Sequence, residues 1–438
     1  MSSRELFGTD GVRGLAGQYP LDGDGTRRIG MAVGARFAQP GHLVVIGCDT
    51  RESSAQIVAD LIAGLNAVGV NVVSAGVLPT PAISYLTREH PEFVAGVMVT
   101  ASHNTYEYNG IKVFDDNGDK LSDEAETELN KLIEDGVPGR GQGTASQDEK
   151  LVGKYEDFLI GTAPGLNLTG LKLAVDTANG AASGIAERVF KRLGAEVTLL
   201  FDKPDGRNIN EKCGATDTKA LQKAVTEQRL DLGIALDGDA DRVIMIDERG
   251  REVKGDYLLY LLAVVREADG VVATIMSNQG FELALQHKGI KLLRTDVGDR
   301  YVLEGLRQTG YKLGGEASGH IIFPLVLATG DGMLAAVQTA RAIETSGKSL
   351  AEWCDEVQLL PQALVNIPLP DKSIIKRPDV VGFIEAQNEQ LGEGRLLIRP
   401  SGTEPVARVM VEASDAQAKA EQIAAELRKL IKGGADHE

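Results

Sequence analysis

Three carboxylates alternate in the segment Asp237-Gly238-Asp239-Ala240-Asp241-Arg242. In extended backbone, residues at i, i+2 and i+4 face one side, so these three side chains can converge. Held about 4 Å apart, each pair would repel by about 4 kcal/mol at an effective dielectric of 20. A hard divalent cation removes that cost, and oxygen-only donors point to magnesium, manganese or calcium. A solvated acidic turn is the bland alternative, disfavoured by the strand-like LGIAL and VIMI on either side. An EF-hand is another, since Glu248 falls where such a loop closes. It fails because its obligatory glycine is Arg242 here and because VIMI reads as a strand.

Three further loops carry chemistry. Thr100-Ala101-Ser102-His103-Asn104 presents a hydroxyl beside an imidazole after an apolar run. A Ser next to a His is weak evidence alone, and no G-x-S-x-G elbow supports a serine hydrolase. Beside a metal loop, Ser102 becomes a candidate phosphoryl carrier. Lys112 is either a proton-transfer or charge-stabilising group, or an exposed strand lysine. Gly314-Gly315-Glu316-Ala317-Ser318-Gly319-His320 offers a carboxylate, a hydroxyl and an imidazole suited to neighbouring sugar hydroxyls. Arg399-Pro400-Ser401-Gly402-Thr403-Glu404-Pro405, with Arg408 as a second cation, reads as an oxyanion cradle or an ordinary turn.

The elements that must position these loops repeat three times. Leu43–Gly47, a helix near Ser53–Val68, Gly69 and a strand at Val70–Ser74 form the first copy. Leu171–Val175, a helix near Ser183–Leu193, Gly194 and Glu196–Phe201 form the second. Val271–Met276, a helix near Phe281–Lys288, Gly289 and Lys291–Arg294 form the third. Glycine just past a helix supplies its left-handed cap, and apolar runs alternating with helices indicate parallel α/β units. Each copy continues as strand, polar loop, strand, which places the serine, aspartate and Glu316 loops at matching positions. Ligands gather beyond the carboxyl ends of strands in such sheets, so the three loops are expected to share one cleft. After the Pro-punctuated stretch Pro361–Pro370, the tail reads as a small α+β domain: helix, strand Arg395–Arg399, loop, strand Val406–Ala413 and a helix near Asp415–Lys432.

Bulk properties bound the function. The chain has 438 residues, 43% hydrophobic and 25% charged, with a net charge of −17. That charge argues against non-specific binding to nucleic acid or anionic membranes and confines any phosphate to a local cationic cluster. No apolar run reaches the ~20 residues of a membrane span; Tyr257–Val265 reads as a buried helix. Three scattered cysteines (Cys48, Cys213, Cys354) and a polar N-terminus imply a reduced, cytoplasmic setting.

These four loops, in this order, resemble the α-D-phosphohexomutase superfamily across essentially the whole chain. Phe7-Gly8-Thr9-Asp10-Gly11-Val12-Arg13-Gly14 and Val297-Gly298-Asp299-Arg300-Tyr301-Val302 look like its branch acting on glucosamine phosphates. The resemblance implies three similar α/β domains with mixed sheets (1–150, 151–254, 255–369) and a C-terminal α+β domain (370–438) around a central cleft. It implies a phosphoserine at Ser102 and one magnesium ion per chain held by Ser102, Asp237, Asp239 and Asp241. Arg13, Glu316, Ser318 and His320 would bind the sugar phosphate; Arg399, Ser401, Gly402, Thr403 and Arg408 its phosphate. His103, Lys112 and Arg242 would assist catalysis. The implied reaction interconverts glucosamine 6-phosphate and glucosamine 1-phosphate through a sugar bisphosphate, the activating intermediate, and supplies amino-sugar nucleotide and cell-wall precursors. A glucose or mannose phosphate mutase, and a metal-dependent serine phosphomonoesterase, are the alternatives. A homodimer is left open, and the C-terminal domain is the expected moving part. One departure stands out: Thr105 occupies a position where relatives usually carry Pro, which puts the rigidity of the serine loop in question.

Overall fold

The computed structural model describes residues 6–8, 11–401 and 405–433. The chain divides into two compact units, Met1–Met276 with Gly289–Asp355, and Ser277–Lys288 with Glu356–Glu438. Three mixed sheets of the first unit repeat one plan. Strand Leu43–Cys48 runs parallel to Asn71–Val77 on one side and Phe93–Val99 on the other. Phe93–Val99 then reverses into antiparallel Tyr108–Phe114. In the second sheet Lys172–Asp176 lies between Glu196–Leu200 and Leu232–Leu236, and the latter reverses into Val243–Asp247. In the third, Gly270–Thr274 lies between Lys291–Thr295 and Gly314–Gly315, which reverses into Ile321–Ile322. The three reversals are the serine, aspartate and Glu316 loops. The expected threefold α/β plan with mixed sheets is therefore borne out.

The local causes are visible in the residues. Gly69, Gly194 and Gly289, just beyond the three helices, have φ of 83°, 100° and 73°, the left-handed conformation that glycine adopts without a Cβ clash. Leu232–Leu236 and Val243–Asp247 are buried along their whole length, as continuous apolar runs require when both faces of a sheet are covered. Val12–Leu15 adds antiparallel to Tyr108–Phe114, setting Arg13 opposite Gly110 at the edge of the first sheet. Among the described residues no helix is long and apolar enough to cross a membrane.

The second unit carries an antiparallel sheet in the order Gln362–Pro368, Val406–Glu412, Arg395–Pro400. Two expectations change here. The Pro361–Pro370 stretch, read as preceding the tail domain, contributes to it, because seven of its residues form the edge strand Gln362–Pro368 of its sheet. Proline is tolerated there because an edge strand leaves one side of its ladder unpaired. The helix Gln279–His287, read as part of the third repeat, groups with this unit. Asn278 Nδ2 donates to Leu360 O at 3.0 Å and Gln279 N to Glu412 Oε2 at 2.9 Å.

Candidate active site

Ser102 follows the buried strand Phe93–Val99 with a left-handed backbone, φ 51°. For a residue with a Cβ that conformation costs about 1–3 kcal/mol and persists where neighbours enforce it. Its carbonyl accepts from Arg51 Nη2 at 2.9 Å and Asn210 Nδ2 at 2.8 Å, and its amide donates to Thr100 Oγ1 at 2.9 Å. The same guanidinium reaches the carbonyls of Asn104 at 2.9 Å, Tyr108 at 3.0 Å and Thr105. Arg51 is anchored on Asp49, Nε to Oδ2 2.8 Å, with both side chains fully buried. A planar, multi-donor fork suits this task better than a point charge. The loop that lacks a proline at position 105 is thus tied down through its carbonyls, that of Thr105 included.

Ser102 Oγ donates to Asp237 Oδ2 at 2.7 Å and lies 3.3 Å from His103 Nδ1. Asp237, Asp239 and Asp241 are all buried, and one oxygen from each lies within 4.8 Å of the others. Asp239 Oδ2 accepts from Thr80 Oγ1 at 2.5 Å and Lys112 Nζ at 2.7 Å; Lys112 also reaches Asp241 Oδ2 at 3.1 Å. Among the described residues, Asp239 Oδ1 and Asp241 Oδ1 are buried with no hydrogen-bond partner. Orphaned carboxylate oxygens are costly in a protein interior, and here they complete an oxygen donor set that fits a hard divalent cation. Burial, then the charges of Asp241 and Asp239, hold the Asp237 carboxyl well above its usual range. Burial pushes Asp241 the same way but is outweighed by Lys112, His320 and Arg242, so its carboxyl stays ionised. A Cβ on Gly238 would lie 2.6 Å from Ser102 O, so the two loops meet backbone to backbone.

The third loop joins them. Val243 N donates to Gly319 O at 3.1 Å, tying the Glu316 loop to the strand that follows the aspartates. Glu316 is held by Ser318 Oγ at 2.9 Å and Gly298 N at 3.1 Å. His320 is buried with Nε2 3.5 Å from Asp299 Oδ2, and Asp299 also takes the ammonium of Lys120. Burial is outweighed by Lys120 and His320, which lower the Asp299 carboxyl to about 2. A cavity of about 220 Å³ is lined by Lys120, Asp241, Arg242, Asp299, Glu316 and His320 among others. Arg242 Nη1 lies 3.3 Å from His103 Nδ1. Burial first, then Arg242 and Arg13, press the imidazole pKa below its usual value. A larger groove of about 740 Å³ shares Lys120, Asp299 and Arg300 with it but takes no residue from the three loops, whereas the smaller cavity draws on the aspartate and Glu316 loops.

In the second unit Arg399 and Arg408 are directly opposed across an antiparallel ladder. Like charges in that position repel, and an anion relieves the repulsion. Arg408 Nη2 lies 3.4 Å from Ser401 Oγ. Gly402 and Thr403 lie outside the described residues, as do Thr9 and Asp10 of the N-terminal motif.

Comparison with known proteins decides the lineage. Models of the phosphoglucomutase/phosphomannomutase family match all along the chain: alpha/beta/alpha domain I at 4–138, domain II at 160–250, domain III at 254–360 and the C-terminal domain at 364–430. The chain belongs to the phosphoglucomutase/phosphomannomutase family. It is 46% identical over 433 residues to a phosphoglucosamine mutase of Thermus thermophilus, covering 98% of each chain. It is 47% identical over 441 residues to phosphoglucosamine mutase 2 of Shewanella amazonensis, covering 96% of this chain and 97% of that one. A crystal structure of a phosphoglucomutase/phosphomannomutase family protein from Burkholderia thailandensis superposes with a TM-score of 0.81 at 26% identity, covering 99% and 98%. By this kinship the chain is an intramolecular phosphotransferase of the phosphoglucosamine mutase branch.

Several residues around the site were not singled out from the sequence of this phosphohexomutase. Arg51, Asp49, Thr80 and Asn210 fix the serine and aspartate loops, and Lys120 pairs with Asp299, a residue of the family-like segment 297–302, which also faces His320. A signal existed for Asp49 and Arg51, which sit just past the carboxyl end of the first repeat's opening strand, where ligand-handling groups collect. The aspartate loop also rests on the helix Gly332–Ser346, whose Gly332 N donates to Ala240 O at 2.9 Å. Its cap Asp331 accepts from Leu334 N and from Tyr155 Oη, both at 2.9 Å. Burial raises the Asp331 carboxyl to about 7. The folded state therefore holds a proton that the unfolded chain releases near pH 4, so this term is most stabilising below pH 4 and fades as pH rises to about 7. In Asp331→Asn, denaturant titrations between pH 4 and 7 should show a flatter stability profile, by about 1 kcal/mol or more across the window. An unchanged slope would refute the assignment.

Proposed function

We propose that this chain interconverts glucosamine 6-phosphate and glucosamine 1-phosphate, with Ser102 as the carrier of the phosphoryl group. The observation that carries the reading is a serine hydroxyl in left-handed backbone, 2.7 Å from one of three convergent buried aspartates. Asp237, Asp239, Asp241 and an oxygen on Ser102 would hold magnesium, which when bound supplies positive charge to the oxygens of the transferred group.

The remaining roles fall to the chain's own side chains. As the P–Oγ bond of phosphorylated Ser102 breaks, a bond forms to a hydroxyl oxygen of the bound sugar monophosphate, and that hydroxyl loses its proton. His103 and Lys112 are the two candidate proton carriers. Arg242 and the Lys112 ammonium offset negative charge on the moving group. Glu316, Ser318 and His320 orient the sugar hydroxyls, and Arg13 adds a cation beside His103. Arg399, Ser401, Gly402, Thr403 and Arg408 take the phosphate that is not reacting. The bisphosphorylated sugar then turns over and returns its other phosphoryl group to Ser102, so it serves as both intermediate and activator.

Multiple-turnover assays on glucosamine, glucose and mannose 6-phosphates test the reading, with a preference of at least about tenfold in kcat/KM expected for glucosamine. Equal turnover of the three sugars, or release of inorganic phosphate at the rate of turnover, would overturn it. Chelation should abolish turnover and added magnesium should restore it.

A further inference from the structure

A second concave region lies away from the three loops. A groove of about 380 Å³ opens beside Thr162, at the end of helix Lys150–Gly161, and between helices Gly255–Val265 and Gly332–Ser346. That volume suits a small organic ligand. Leu262, Val265 and Ala342 give it an apolar lining, and Arg266 and Arg341 bring two cations.

The two guanidiniums are held in place but not neutralised. Arg266 stands over the Phe323 ring, Cζ 4.7 Å from its centroid, with Nη2 donating to Gln338 Oε1 at 2.6 Å. Arg341 Nη1 donates to Thr162 O at 3.3 Å. Gln338 is itself fixed by Nε2 bonds to Thr162 Oγ1 at 3.0 Å and Thr162 O at 3.2 Å. Every one of these acceptors is neutral, and among the described residues most N–H donors of both forks bond to no protein atom. Among those residues no carboxylate offsets Arg266: burial, then the charge of Arg341, press its pKa below the usual value. In a chain with 63 acidic residues and a net charge of −17, two arginines lining one groove make a local cationic site suited to an external anion. Paired guanidiniums bind tetrahedral oxyanions by parallel, charge-assisted hydrogen bonds.

We propose that this groove binds an organic phosphomonoester, its phosphate between Arg266 and Arg341 and its body along Leu262, Val265 and Ala342. Equilibrium dialysis of the full chain tests this with three labelled probes: inorganic phosphate, glucose 6-phosphate and adenosine 5′-monophosphate. The comparison is between the natural chain, R341Q and the double variant R266Q/R341Q, with melting curves to confirm folding. The expected result is one fewer ester site per chain in the double variant, or at least about tenfold weaker occupancy of it. Turnover of glucosamine 6-phosphate should be unchanged in both variants. R341Q, which keeps the contact of Arg266 with Phe323, should show an intermediate loss. Equal site numbers and affinities in all three proteins would overturn the proposal. Tighter binding of inorganic phosphate than of either ester at the Arg-dependent site would overturn the assignment of an ester.

Discussion

Ser102→Ala should lose at least about 10⁴-fold in kcat while the chain still folds. Removing a covalent carrier eliminates the reaction path rather than weakening one contact in it, which is why such losses run to many decades. The folding cost should be small by comparison. Alanine meets the same left-handed φ of 51° that serine does, and the carbonyl clamp from Arg51 and Asn210 does not involve the hydroxyl. What is lost is the bond from Oγ to Asp237 Oδ2, worth about 1–3 kcal/mol when a buried acceptor loses its donor. Two measurements decide the matter. Intact mass should show one phosphoryl group on part of the natural chain and none on the variant. Steady-state assays should show turnover gone with the melting curve nearly in place. Full mutase activity in the variant, or a phosphoryl group that persists on it, would sink the carrier role.

The sheets and the aspartate loop were legible because their signals are local. LGIAL and VIMI are continuous apolar runs, and all nine of their positions, Leu232–Leu236 and 243–246, are buried. The three terminating glycines mark the helices, and repetition aligns the three loops without any knowledge of tertiary contacts. The parts that stayed hidden depend on partners far away in sequence. Arg51 acts on carbonyls 51 to 57 residues away, and Asn210 on carbonyls more than 100 away. Backbone carbonyls carry no sequence signature, so nothing near Arg51 announces what it binds. Gln362–Pro368 was hidden for a different reason. Proline ends the strand, and Leu364 within it is 54% exposed, so neither alternation nor an apolar run singled it out.

Arg51→Lys should fold and yet lose about 10²-fold in kcat, the scale expected when a reacting group is misplaced by about 1 Å. Lysine keeps a positive charge beside Asp49, whose carboxyl burial already raises despite Arg51. It therefore spares the chain the roughly 3–5 kcal/mol that follows when one partner of a buried pair is removed outright; Arg51→Ala should incur that cost and melt much earlier. A single ammonium cannot span the carbonyls of Ser102, Asn104, Thr105 and Tyr108, which the guanidinium fork joins. Without that span, nothing on the Arg51 side holds Ser102 in the left-handed region, and the hydroxyl should leave the aspartates for part of the time. Hydrogen exchange at residues 101–108 should quicken in Arg51→Lys while exchange in the strands Phe93–Val99 and Tyr108–Phe114 stays slow beyond their loop ends. A merely structural arginine would slow neither phosphorylation of Ser102 nor turnover in a folded lysine variant. If Arg51→Lys matches the natural chain in kcat and in loop exchange, rigidity at Thr105 comes from elsewhere in the loop and the guanidinium clamp is dispensable.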